Sequence, residues 1–196
     1  MGLLKQLGIV KKDNKSVGIF ETLMGQNTFQ NLVYSDPVDY IRQYWQAIPA
    51  GSSSAMVGNL FELIIYTLLY REQIKPFYKQ AKVAFVPNVH FDALLYNQSS
   101  PVSLSLKTSL RERYKQADLE AIALKYVHRK SKCYLLTMDP AEARVQKGKI
   151  TSGEIIGLDD VIDCNTNDIN NLIAYLRTQQ FIPSQRIEVV EGHLIS

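Results

Sequence analysis

Only two cysteines, Cys133 and Cys164, occur in the 196 residues, and neither belongs to a CxxC pair. The three histidines, His90, His128 and His193, are scattered. That excludes a zinc cluster, and two cysteines make no disulfide framework. A reducing, cytoplasmic compartment is the expectation. Long hydrophobic runs are missing as well. The most apolar stretch, Leu60 to Tyr70, is interrupted by Glu62 and too short to span a bilayer, so no membrane role is expected. The opening "MGLLKQLGIVKKDNK" has no continuous apolar core and no small-residue cleavage site, which argues against a secretory signal. There is no GxSxG and no glycine-rich phosphate loop, which excludes a nucleophile elbow and a small nucleotide cofactor bound in that way. No repeat is visible, and the aromatics are spread rather than aligned as a stacking platform.

What is present is an ordinary globular composition, 46% hydrophobic and 21% charged. A chain of this length can bury a core without staples. The net charge of +3 permits a polyanionic partner without requiring one. The cations are unevenly placed: "SLKTSLRERYKQ" crowds Lys and Arg around a single acid. Such a block is either a solvated helix face or a nucleic-acid contact.

Along the chain, the first fifty residues read as irregular helices, with "DPVDYIRQYWQAI" the clearest. "AGSSS" is a loop able to cap an apolar helix from Met56 to about Arg71. After Pro76 the residues become β-branched and aromatic. "KVAFVPNVHFDALLYN" is one expected strand, "NQSSP" a turn, and the alternating "VSLSLK" a second strand. A turn centred on Ser99 sets Asp92 opposite Leu106, near the face shared by Ser105 and Lys107. A long helix is expected from Ser109 to about Arg129, with Leu110, Tyr114, Ala117, Ala121 and Leu124 as its apolar stripe. "KCYLLTMD" and "DDVIDC" are strands, and "NTNDINNLIAYLRTQQ" is a capped helix. The order predicts an α/β fold with a mixed central sheet covered by helices.

Asp92, Lys107 and Glu120 converge on one end of the expected hairpin. Hard divalent cations such as Mg2+ take one or two protein carboxylates and complete their shell with water and phosphate. A lysine beside them can orient water and stabilise charge developing on phosphorus. Two acids alone would make a metal site. The added lysine points to phosphodiester hydrolysis.

The stretch "D-x14-SLKTSLRERYKQADLE" resembles the PD-(D/E)XK nucleases. More narrowly, it is similar to the type II restriction endonucleases that cut CCGG, CCNGG or CCWGG-type sites. In that branch the second acid of the motif is displaced from the strand to the next helix, with twelve or thirteen residues between it and the lysine. The resemblance makes Asp92 the motif aspartate, Lys107 the catalytic lysine, Glu120 the displaced acid and Ser105 the occupant of the vacated position. Glu62, in "GNLFELIIYTLL", matches the branch's glutamate on an early helix. Asp92, Glu120 and Glu62 would then bind Mg2+, with Mn2+ able to substitute. Arg111-Glu112-Arg113 matches a basic–acid–basic triplet that reads G·C pairs, consistent with arginine on guanine and a carboxylate on cytosine. Thr108, Ser109 and Lys115 are further DNA contacts on this reading. Phe91 stands where the motif usually has proline. The implied protein is a homodimeric, site-specific double-stranded DNA endonuclease, with 1–50 a helical segment packed on a 51–196 nuclease core.

Plainer roles stand beside these. Asp92 could be a turn residue or half of a surface ion pair, and Lys107 a solvated strand end. Glu120 could pair with Lys115 or Lys125. Ser109 and Glu112 form an S-x-x-E capping box. Arg111 and Arg113 could hold phosphate without reading sequence, and the Thr108 and Ser109 amides would open a helix that suits phosphate. Glu62, in an apolar helix, is either buried with a partner or lines a cleft. A repair or recombination nuclease without strict sequence reading, or an inert DNA-binding module of the same fold, are the competing functions.

Overall fold

Caps and apolar faces account for most of the elements in the computed structural model, which describes residues 2–23, 25, 28–86, 88–111, 113–184 and 189–196. In chain order these are α1 (Leu3–Gln6), α2 (Lys15–Thr22), α3 (Pro37–Ala47), α4 (Ser54–Arg71), β1 (Phe77–Val83), β2 (Phe91–Leu95), β3 (Val102–Leu106), α5 (Arg113–Val127), β4 (Lys132–Thr137), α6 (Pro140–Ser152), β5 (Asp160–Asp163), α7 (Asn167–Arg177) and β6 (Val189–Ile195). They divide into two compact units. One spans Met1–Ile74 with Cys164–Arg177, the other Lys75–Asp163 with Thr178–Ser196.

The first unit is all helix. Asp36 caps α3, accepting from the Asp39 amide, with Pro37 in the first turn. Ser53 caps α4 by accepting from the Met56 amide, so the AGSSS loop does start that helix. Its centre is aromatic: Phe20 stacks on Tyr44 at 4.7 Å, and the Tyr40 hydroxyl donates to Thr67 Oγ1 at 2.8 Å. Buried hydroxyls need such partners. No described helix is long and apolar enough to cross a membrane.

The second unit carries a six-stranded sheet in the order β5-β4-β3-β2-β1-β6. β1, β2 and β3 form an antiparallel meander, and β6 lies antiparallel beside β1. β4 and β5 run parallel to their neighbours, β3 and β4 respectively. The parallel steps need crossovers, and α5 and α6 supply them. Ala117, Ala121 and Leu124 of α5 pack with Phe91, Leu94, Leu135 and Val161 of the strands. The expected mixed sheet with covering helices is therefore what forms.

Four local expectations change. The run from Lys82 to Asn97 is not one strand: it holds only the end of β1, which starts at Phe77, then a turn in which Phe85 and Asn88 take positive φ, then β2. The β2–β3 pairing sets Ala93 opposite Leu104, so Asp92 falls opposite Ser105 rather than Leu106. That one-residue slip brings Asp92 onto the Ser105 face instead of turning it away. The helix expected from Ser109 begins at Arg113. Leu110, although fully buried, and Ser109 precede it, so Ser109 is not its cap. Finally, α6 and β6 form where no element was expected. α6 is bounded by an Asp139 cap, Pro140 and a left-handed Gly153 at φ 80°. It buries little beyond Ala143 and Gln146, so its apolar pattern is faint.

Candidate active site

β2 and β3 place Asp92, Ser105 and Lys107 at one end of the meander. The Asp92 carboxylate is buried, with a side chain 11% exposed, and Lys107 is 15% exposed. Asp92 Oδ2 accepts from the Lys107 ammonium at 2.7 Å and from the Leu106 amide at 2.8 Å. The Lys107 amide donates to Leu136 O at 3.0 Å, which ties its backbone to β4. The side chain thus leaves from a fixed point. Of its three N–H donors, Asp92 takes one.

Glu120 approaches from α5. Gln116, one turn earlier, donates its Nε2 to Glu120 Oε1 at 2.7 Å. The Glu120 carboxyl titrates above the ordinary range. Burial raises it most. The Gln116 bond and the Lys107 charge pull it down, Asp92 pushes it up, and His90 pulls it down again. Glu120 therefore feels both members of the Asp92–Lys107 pair. A cavity of about 10 Å3, room for one water, is lined by Asp92, Ser105, Ala117, Glu120 and Tyr134 among others. Ser105 Oγ is buried here with no hydrogen-bond partner among the described residues. A buried hydroxyl left so is uncommon and costs stability. The structure brings together two desolvated carboxylates, an ammonium and an orphaned hydroxyl.

The other anticipated residues are placed as follows. Arg111, Arg113 and Lys115 are exposed, Thr108 and Ser109 half-buried, all in or just before the first turn of α5. Lys115 Nζ lies 5.9 Å from the Tyr114 ring centroid. Glu112 falls outside the described residues. The Thr108 and Ser109 amides do not open a helix, because α5 starts later. Glu62 belongs to the helical unit, half-buried in α4, where Tyr66 donates its hydroxyl to Glu62 Oε2 at 3.2 Å. The helical unit has its own cleft of about 710 Å3, lined by Tyr34, Arg71, Glu72 and Arg177. Its buried acid is fully engaged, with Arg177 paired to Glu72 and the Tyr34 hydroxyl donating at 2.6 Å.

Two interactions escaped sequence reasoning. Gln116 could have been found from its i, i+4 spacing to Glu120. Glu142 could not. It resembles an acid in the first turn of its own helix, but its carboxylate accepts from the Leu110 and Arg111 amides.

No protein-family model and no curated protein matches the chain. One solved structure does, titled "Restriction endonuclease PspGI-substrate DNA complex". The two superpose with a TM-score of 0.59 at 15% identity, over 89% of this chain and 84% of that one. At such low identity the likeness is one of fold. The chain has a restriction-endonuclease-like α/β fold.

Proposed function

We propose that the chain is a sequence-specific endonuclease of double-stranded DNA, hydrolysing phosphodiesters with a divalent cation. The observation that carries this reading is the Asp92–Lys107–Glu120 group on a restriction-endonuclease-like fold, with Ser105 Oγ unpartnered beside it. The matching fold was solved on substrate DNA, which supports the same class of substrate here.

The donor set suits a hard cation. No cluster of three or more His, Cys, Asp or Glu is found among the described residues. Mg2+ does not need one, since two carboxylates with water and phosphate oxygens complete its shell. Asp92 and Glu120 are those carboxylates, and Mn2+ can replace Mg2+. A cation held there supplies Lewis acidity toward the scissile phosphate.

The chain's own groups do the rest. Lys107, anchored through Asp92 and its own backbone, keeps donors for an attacking water and a non-bridging phosphate oxygen. Water attacks phosphorus, the P–O3′ bond breaks, and a 5′-phosphate and a 3′-hydroxyl result. Ser105 Oγ, lacking a partner among the described residues, can bond a water in the small cavity. Arg111 and Arg113 on the α5 approach read guanine edges, and Lys115 with Thr108 and Ser109 contacts the backbone. A palindromic site calls for a twofold homodimer.

Plasmid DNA incubated with the protein and Mg2+, with an EDTA control, tests this. Discrete fragments are expected, abolished by EDTA. A smear would mean a nuclease that does not read sequence. Intact DNA with every metal would leave an inert DNA-binding module.

A further inference from the structure

Glu142 stands at the third position of α6, where an acid usually reaches back to the cap of its own helix. Here it turns outward. The Glu142 amide donates to Asp139 Oδ1 at 3.0 Å, while its carboxylate crosses to the connection between Lys107 and α5. Glu142 Oε1 accepts from the Arg111 amide at 3.0 Å, and Oε2 accepts from the Leu110 amide. Two consecutive amides turned onto one anion form a nest, which needs a left-handed residue. Arg111 supplies it at φ 30°. Beside it Leu110 is fully buried, whereas the Arg111 and Arg113 side chains are exposed.

The anchor is charge-assisted and bidentate, which makes it strong and directional. The first turn of α6 favours the negative charge that it requires. The two amides are also withdrawn from any outside anion, so the segment does not serve as a phosphate cradle. What it presents to solvent is side chains on a fixed backbone. Among the described residues Glu142 bonds Leu110, Arg111 and Asp139, and none of the Asp92 group.

We propose that Glu142 is a positioning residue for sequence discrimination: it holds the Leu110–Arg111 backbone so that Arg111 and Arg113 meet DNA base edges in one register. This rests on the nuclease reading above. A reader held this way distinguishes bases only while its backbone is fixed, because a bidentate arginine contact tolerates little displacement.

The test uses the full chain carrying Glu142→Gln, which keeps the size but presents only one acceptor, and Glu142→Ala, which empties the nest. Amide hydrogen exchange at Leu110 and Arg111 is followed in the protein alone. Cleavage kinetics are then compared on a duplex containing the preferred site and on one with a single altered base pair. Both amides are expected to exchange at least about tenfold faster in each variant. KM for the preferred duplex should rise about tenfold with kcat within about twofold, and the preference over the altered duplex should fall about tenfold. Unchanged exchange would overturn the anchor. Faster exchange with discrimination intact would reduce Glu142 to a fold-stabilising acid. An equal fall in kcat on both duplexes would also contradict a role in discrimination. If the wild-type protein cuts no duplex, the nuclease reading fails and this role fails with it. The exchange result then still tells whether the nest exists.

Discussion

Two aspartates of the sheet unit, the buried Asp92 and the half-buried Asp159, each accept from lysine and from a backbone amide, and they are built to opposite ends. Asp159 is saturated. Its Oδ1 takes Lys132 Nζ at 2.9 Å, and its Oδ2 takes Lys125 Nζ and the Cys133 amide, both at 2.8 Å. Burial alone would raise its pKa, but the bonds from Lys125, Cys133 and Lys132 outweigh it and hold the carboxyl below the usual range. Asp92 also has a lysine and an amide. Beside it, however, sit a second carboxylate with a raised pKa and a hydroxyl with no bond among the described residues. One centre resolves every charge it buries. The other keeps unresolved groups around a water-sized space. Stability accounts for the first. The second costs stability, which the catalytic use proposed above would explain.

The comparison can be broken by exchanging the damage. Asp92→Ala should reduce single-turnover cleavage by at least about a thousandfold, a loss of roughly 4 kcal/mol of transition-state stabilisation. DNA binding in a gel shift should survive. Asp159→Ala should do the reverse, costing about 1–3 kcal/mol of folding stability, chiefly by leaving the Cys133 amide without its acceptor. Its cleavage per folded molecule should stay near wild type. If Asp159→Ala lost cleavage as Asp92→Ala does, the two centres would not differ in kind.

A smaller effect sharpens the contrast through pH. The raised pKa of Glu120 means that its ionised form is penalised in the folded protein. That penalty is absent below the unfolded carboxyl pKa, near 4.3, and complete above the raised folded value. Metal-free Glu120→Gln should therefore melt higher than wild type at pH 8, and the gap should close by about pH 4. A gap that widened toward acid pH would contradict the cause assigned here. Smallest of all is Ser105→Ala. Removing an unpaired buried hydroxyl should change metal-free stability by under about 1 kcal/mol, or raise it slightly. A large loss, read by urea denaturation, would mean that Ser105 is bonded after all.

Much of this was legible in the residues. Type and spacing singled out Asp92, Lys107 and Glu120, and the fold sets Asp92 in contact with Lys107 and lines one small cavity with Asp92 and Glu120; their catalytic role is the proposal above. The hairpin register was missed by one residue, since turn length in "NQSSP" cannot be counted from composition. α6 was missed because it buries little beyond Ala143 and Gln146, leaving almost no periodic signal. Its Asp139-Pro140 start and Gly153 stop were the readable marks. α5 was placed four residues early because Leu110 continues its stripe, although the Glu142 anchor holds that residue in a loop. Long-range bonds such as that one leave no trace in local sequence.

On the proposed reading Lys107, beside Asp92, acts on DNA, whereas Lys125, one of the two lysines on Asp159, does not. Lys107→Ala and Lys125→Ala should be compared with wild type on one plasmid, with Mg2+ and enzyme in excess. The account predicts no cleavage by Lys107→Ala, although it still binds DNA, and a rate within a few fold of wild type for Lys125→Ala. Full activity in Lys107→Ala would contradict it.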